Sequence, residues 1–177
     1  MLELKNRTGE SALPEVFITD MREELRQGNR SILSGKLEEM IRDRLERKEQ
    51  IMLFLNRRGY AGFVSCRACG YVVKCPHCDV SLSAHRNGKL VCHYCGYETP
   101  LLRSCPSCGS SYIGGFRAGT QQVEELVCRT FPEARILRMD MDTTRKKDGY
   151  EKILEAFADE EADILIGTQM IVKGHDF

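Results

Sequence analysis

The sequence predicts an α/β fold: a parallel sheet interrupted by a small metal-bound module. Three observations carry that reading. Helically spaced and strand-length apolar runs follow one another as helix, strand, insert, helix, strand, helix, strand, the pattern of a parallel sheet with right-handed crossovers. Residues 51–55 (Ile-Met-Leu-Phe-Leu) are continuously apolar, as in a central strand buried on both faces. Eight of the nine cysteines fall into four Cys-x-x-Cys pairs within 43 residues. They are Cys66/Cys69, Cys75/Cys78, Cys92/Cys95 and Cys105/Cys108.

The elements follow in order. Residues 1–13 are polar and read as loose, 16–19 as a short strand, and 21–31 as charged and irregular. Ser34 is placed to cap a helix in which Leu37, Met40, Ile41 and Leu45 recur at helical spacing, ending near Lys48. The 51–55 strand precedes the cysteines. After them, 114–120 reads as a glycine-rich turn. Thr120 is placed to cap a helix with Val123, Leu126, Val127 and Phe131 on one face. A strand is expected at 135–139, then a helix at 150–158 with Ile153, Leu154 and Phe157 inward. The last strand is 162–167, and 168–170 opens a loop. The chain stops at Phe177, where a complete doubly wound domain is expected to continue, so it reads as a fragment. Its divisions are 1–62, an inserted module at 63–112, and 113–177.

A Cys-x-x-Cys turn puts two thiolates on one side of a tight loop, and two such turns supply the tetrahedral set a structural zinc prefers. Four turns predict two zinc ions. Gly70, Gly96 and Gly109 follow three of the pairs, where a left-handed backbone lets amides point back at the sulfurs. Adjacent, cross-braced and nested pairings are all possible. The middle gap, Cys78 to Cys92, has the length of a zinc-ribbon hairpin, and Asn87-Gly88 is a turn signal within it. This favours the nested arrangement, with Cys66, Cys69, Cys105 and Cys108 on one ion and Cys75, Cys78, Cys92 and Cys95 on the other. Four thiolates leave no position for water, which argues for a structural clip over catalytic zinc. His77, His85 and His93 read as surface residues, and Cys128 as a small buried apolar one.

Bulk composition narrows the function classes. Lys+Arg and Asp+Glu both number 26 among 177 residues, so neither a polybasic tail nor a membrane-surface protein is indicated. No apolar run approaches the ~20 residues of a membrane span. No signal-peptide core is visible at the N-terminus, so a cytoplasmic location is expected. There, closely spaced cysteines are metal ligands more often than disulfides. Seven Lys/Arg between Asn56 and Cys108 face only Asp79 and Glu98, a balance of +5 that falls to about +1 with eight thiolates and two zinc ions counted. Contact with nucleic acid there would rest on placed arginines, not a broad positive field.

Three flanking segments carry a family resemblance. Phe54-Leu55-Asn56-Arg57-Arg58-Gly59-Tyr60 resembles helicase motif IV. Gly119-Thr120-Gln121-Gln122-Val123-Glu124-Glu125-Leu126 resembles the strand-to-helix signature that follows. Ile166-Gly167-Thr168-Gln169-Met170 continuing to Lys173-Gly174-His175-Asp176-Phe177 resembles motif V. With four Cys-x-x-Cys pairs between the first two, the chain resembles the superfamily 2 replication-restart DNA helicases, the primosomal protein N′ family. Asp140-Met141-Asp142-Thr143-Thr144-Arg145 also fits it. The resemblance runs from about Phe17 to Phe177 and implies most of the second of two RecA-like lobes. It implies ATP- and Mg2+-dependent 3′-to-5′ unwinding at stalled or repaired forks. The implied partners are DNA, other primosome proteins and single-stranded-DNA-binding protein. It further implies DNA-phosphate contacts at Arg57, Arg58, Gly119, Thr120 and Thr168, and a nucleotide near Lys173, Gly174 and Asp176. The phosphate-binding loop and acidic magnesium motif of a first lobe are absent from this sequence, and motif VI would follow Phe177. This segment alone is therefore expected to hydrolyse no ATP. Two other classes remain open: a non-enzymatic zinc-ribbon adaptor for nucleic acid or protein, and a redox sensor. Tyr71, Tyr94 and Tyr97 are placed either to stack on bases or to pack against the knuckles.

Overall fold

A computed structural model describes residues 14–55, 63–85, 87–115, 119–145 and 149–172. Helix α1 (Met21–Arg26) lies in the stretch expected to be irregular. Its cause is local: the Asp20 carboxylate accepts from the Arg22 amide, Glu23 and Glu24 occupy the first turn, and Arg26 the last. The strand expected at 16–19 does not form. Val16 and Ile18 stand exposed with no partner strand among the described residues, and β-prone residues alone do not hold a strand. Helix α2 (Gly35–Glu46) begins as expected, with Ser34 Oγ accepting from the Leu37 amide at 3.1 Å, and it buries Ile41.

Three strands form the parallel sheet: β1 (Ile51–Phe54), β7 (Ile136–Met139) and β8 (Ile164–Gly167), in the order β1-β8-β7. Between β1 and β7 in the chain lie β2 (Val64–Cys66), β3 (Ser83–Ala84), β4 (Lys89–Val91), β5 (Glu98–Pro100), β6 (Ile113–Gly115) and helix α3 (Thr120–Thr130). Helix α4 (Gly149–Ala158) joins β7 to β8, and a 3-10 turn, Gln169–Val172, follows where a loop was expected.

The central strand is β8, buried at all four positions. Among the described residues β1 lies at an edge of this sheet, with Leu53 buried and Met52 and Phe54 exposed. On one side of the sheet, Leu53, Ile164 and Ile166 pack with Ile41, Val123, Val127 and Phe131. On the other, Leu165 and Met139 pack with Phe157 and Ile171, and with the expected Ile153 and Leu154. Cys128 is exposed, not buried. It sits one residue past Val127, about 100° around the helix from the apolar stripe.

The intervening segment folds on itself. β2 pairs antiparallel with β6, so Gly114 and Gly115, expected to open a turn, are strand. β3, β4 and β5 form an antiparallel sheet of their own. Val64, Val73, Leu82 and Leu90 make a small separate core with Cys75 and Cys92. No described helix is long and apolar enough to cross a membrane.

Candidate metal centre and sheet edge

The four Cys-x-x-Cys segments repeat one local structure. The amide of each first cysteine donates to the carbonyl five residues on, Cys66 to Tyr71, Cys75 to Val80, Cys92 to Tyr97 and Cys105 to Ser110, at 2.7–2.8 Å. The carbonyl of each first cysteine accepts from the fourth residue on: Gly70, Asp79, Gly96 and Gly109. All four of these residues have positive φ, from 55° at Asp79 to 81° at Gly70. The glycines mark three of the knuckles. In the fourth, Asp79 takes the same left-handed backbone, which Asp tolerates better than most side chains.

These knuckles bring the sulfurs together in the nested set. The sulfurs of Cys66, Cys69, Cys105 and Cys108 lie within 4.8 Å of one another, and so do those of Cys75, Cys78, Cys92 and Cys95. Cys66 to Cys108 and Cys69 to Cys105 are both 3.7 Å, and Cys75 to Cys95 is 3.6 Å. A disulfide would need about 2.05 Å. Four sulfurs ~2.3 Å from a tetrahedral ion stand about 3.8 Å apart, close to the spacing seen. The donor chemistry agrees. The Tyr71 amide lowers the Cys69 thiol to about 7, and the Cys95 amide lowers Cys92 to about 7. Each cluster therefore holds one thiol that ionises more readily than an ordinary cysteine. The Cys78 thiol is pushed up to about 12, chiefly because it keeps its proton in a hydrogen bond to the Cys95 sulfur, with burial adding to the shift. A cation at the centre would take the place of those protons, since a coordinating thiol is deprotonated by the metal. The two four-cysteine sites fit two zinc ions.

The turn joining β3 to β4 closes where Gly88, at φ 78°, donates to the His85 carbonyl at 3.2 Å, near the expected Asn87-Gly88 signal. His77 sits edge-on to Tyr97 at 5.3 Å between ring centroids, while Tyr94 stands largely exposed. Arg67, inside the first knuckle, reaches away from the metal site. Its guanidinium donates to the carbonyls of Asn29, Arg30 and Ser31 at 3.2, 2.9 and 2.6 Å. Nothing in the spacing of the cysteines announces that clasp.

Parallel register places the remaining candidates. Phe54 and Met139 both pair with Gly167, so Leu55, Asp140 and Thr168 leave the sheet side by side at its carboxyl edge. Thr168 is half-buried, and its carbonyl accepts from the Ile171 amide at 3.0 Å. The helix cap is Gly119, not Thr120, and it makes no side-chain cap bond. Thr120 is the first helical residue, and its hydroxyl donates to Asp140 Oδ2 at 2.6 Å. Asp140 thus joins Thr120 and Thr168 at one edge, although sequence reasoning assigned it no role beyond matching a motif. Burial opposes ionisation of Asp140, but Thr120, the Thr143 amide and Arg138 together hold its carboxyl below the usual carboxylate range. Arg57 and Arg58 lie outside the described residues, as do Lys173, Gly174 and Asp176.

Residues 75–100 match the family described as "PriA DNA helicase Cys-rich region (CRR) domain", the span holding the inner cysteine set. Over 100% of its length the chain is 53% identical to replication restart protein PriA of Bacillus subtilis. The chain belongs to the PriA replication-restart family. PriA of Synechocystis is 48% identical over 99% of the chain, and PriA of Haemophilus influenzae 37% over 99%. The chain spans 22–24% of the length of these PriA relatives.

Proposed function

We propose that this chain is part of an ATP-dependent DNA helicase that unwinds 3′ to 5′, restarts stalled or repaired forks and helps assemble the primosome. Residues 1–62 and 113–177 act as parts of the second, RecA-like motor lobe. Residues 63–112 act as a zinc-clipped module that guides DNA strands and docks partners, among them primosome proteins and single-stranded-DNA-binding protein. The relatives' name supports replication restart. The observation that carries the motor reading is the convergence of Gly119, Thr120, Asp140 and Thr168 at the carboxyl edge of a parallel sheet. Ligands of open α/β sheets bind at that edge. The α3 N-terminus and the Thr168 turn supply amides and a hydroxyl for a DNA phosphate. Arg57 and Arg58 follow the neighbouring strand and suit the same backbone. Lys173, Gly174 and Asp176 are assigned to the binding of ATP and Mg2+.

Changing Thr168 to Ala in the full-length protein tests this. Lost unwinding with unchanged folding and zinc content is expected. Unchanged unwinding would favour the alternative, a non-enzymatic zinc-ribbon adaptor for which the flanking sheet is scaffold. The isolated chain is expected to show no ATP turnover above a no-protein blank.

A further inference from the structure

Two histidines outside both cysteine sets face each other. His85 Nε2 lies 3.2 Å from His93 Nε2, with ring centroids 5.0 Å apart and the planes tilted by 46°. The two rings come from different supports. His85 directly follows β3, and its amide donates to the Lys89 carbonyl at 2.9 Å. His93 sits inside the third knuckle, whose backbone is fixed by the Cys92 to Tyr97 and Gly96 to Cys92 hydrogen bonds. The pair is open to solvent at His93 and half-covered at His85.

We propose that His85 and His93 form an accessory site for a third divalent transition ion of the borderline class, such as Zn2+ or Ni2+, bound through the two Nε2 atoms. The spacing supports it. Two nitrogens ~2.05 Å from one ion stand about 2.9 Å apart at a right angle and about 3.3 Å apart at the tetrahedral angle. The observed 3.2 Å falls between, so an ion fits with no backbone shift. Each ring offers its Nε2 lone pair when its proton sits on Nδ1, and neutral imidazole is a preferred ligand for these metals. Charge supports it as well. A zinc ion held by four thiolates carries a net double negative charge, and His93 lies within one knuckle of the inner set. Nearby, Lys89 Nζ is already paired with Glu98 at 2.6 Å. With two protein ligands, the ion keeps open positions for water or an anion and ties the β3–β4 turn to the knuckle.

The test uses the full zinc-loaded chain without a histidine tag, dialysed against micromolar Ni2+ and analysed for both metals. About one Ni2+ per chain is expected beyond the retained zinc. His85→Gln and His93→Gln are each expected to weaken Ni2+ binding by ~10-fold or more with zinc unchanged, and His77→Gln to leave it intact. Should His93→Gln release zinc, His85→Gln decides, because it lies outside every Cys-x-x-Cys loop. No Ni2+ on the unsubstituted chain, Ni2+ retained in His85→Gln, or an equal loss in His77→Gln would each overturn the site.

Discussion

Thr120 Oγ1 donates to Asp140 Oδ2 at 2.6 Å, tying the first residue of α3 to the residue that leaves β7. The same carboxylate accepts the amides of Asp142 and Thr143 at 2.9 and 3.0 Å and faces Arg138 Nε at 3.1 Å. Arg138 in turn donates to Glu124 on α3 at 2.8 Å. Asp140 is thus the hub that holds α3 against the strand end, and it occupies the Thr120 hydroxyl that the sequence suggested as a helix cap. Replacing it removes several charge-assisted bonds and leaves Arg138 half-compensated in a mostly covered site. Asp140→Ala is expected to cost about 2–3 kcal/mol and Thr120→Val about 1 kcal/mol. Denaturant unfolding of the zinc-loaded chain measures both. Equal costs for the two would contradict the hub.

Acid should act through a second carboxylate. Asp163, just before β8, takes two bonds from the Arg135 side chain, at 3.1 and 2.6 Å, and one from its amide at 2.8 Å. The Arg135 guanidinium is the leading cause that holds the Asp163 carboxyl below its ordinary range. Because the folded value is depressed, the stabilisation is present above the unfolded value of about 3.9 and is lost as pH falls through the lower folded one. Zinc loss also destabilises the chain in acid, so the difference between variants is the useful quantity. Asp163→Asn should be less stable than the unsubstituted chain at neutral pH, with the gap closing below about pH 4. A gap that stays constant down to about pH 2 would rule the pair out as the cause.

Much of this architecture could be read from residue spacing. Ser34 at the head of a helical stripe, and Val123, Val127 and Phe131 on one face, set their helices through local chemistry that a sequence displays. The knuckles were visible for the same reason, since each is a closed loop of six residues. What escaped depends on partners far along the chain. The 51–55 run specifies a strand, but its parallel pairing with β8 depends on residues far along the chain. Charge hid α1, although Asp20 supplies an ordinary cap. Thr120 resembled a cap, yet Asp140, twenty residues on, claims its hydroxyl. The Arg67 clasp spans 36 to 38 residues and leaves no local mark.

The nested grouping makes the two metal sites unequal. The outer cysteines sit where β2 and β6 close the inserted segment, while the inner ones belong to the β3–β5 sheet. Cys105→Ser should lower zinc content from two ions toward one and leave the inner ion bound, and Cys92→Ser should do the converse. If adjacent pairs shared ions instead, Cys66→Ser would disturb Cys75 and Cys78, which Co2+ substitution spectra of the single remaining site would reveal. Loading zinc at neutral pH should release protons, because Cys78 and Cys108 are held up at about 12 until the ion displaces them. Zinc affinity must then fall as pH falls. A proton yield of zero in weakly buffered titration would contradict the thiolate assignment.

The last prediction concerns the turn where β8 ends. A methyl group at Gly167 would stand 2.8 Å from the Met139 carbonyl oxygen and 2.5 Å from the Ile171 side chain. The first obstacle is backbone of the neighbouring strand, and the second is a buried residue of the α4-side core. Neither can retreat without opening the β7–β8 ladder, so the glycine sets how closely the strand end approaches the Gln169–Val172 turn. Gly167→Ala is expected to destabilise the sheet by about 1–3 kcal/mol, the usual range for forcing a methylene into a packed core. Gly114→Ala, where the added carbon meets nothing within 4 Å, is the matched control and should cost far less. Thermal unfolding of the two zinc-loaded variants compares them. In the full-length protein, Gly167→Ala should also displace the adjacent Thr168 and weaken DNA-stimulated turnover beyond what the stability loss explains, whereas Gly114→Ala should leave turnover unchanged.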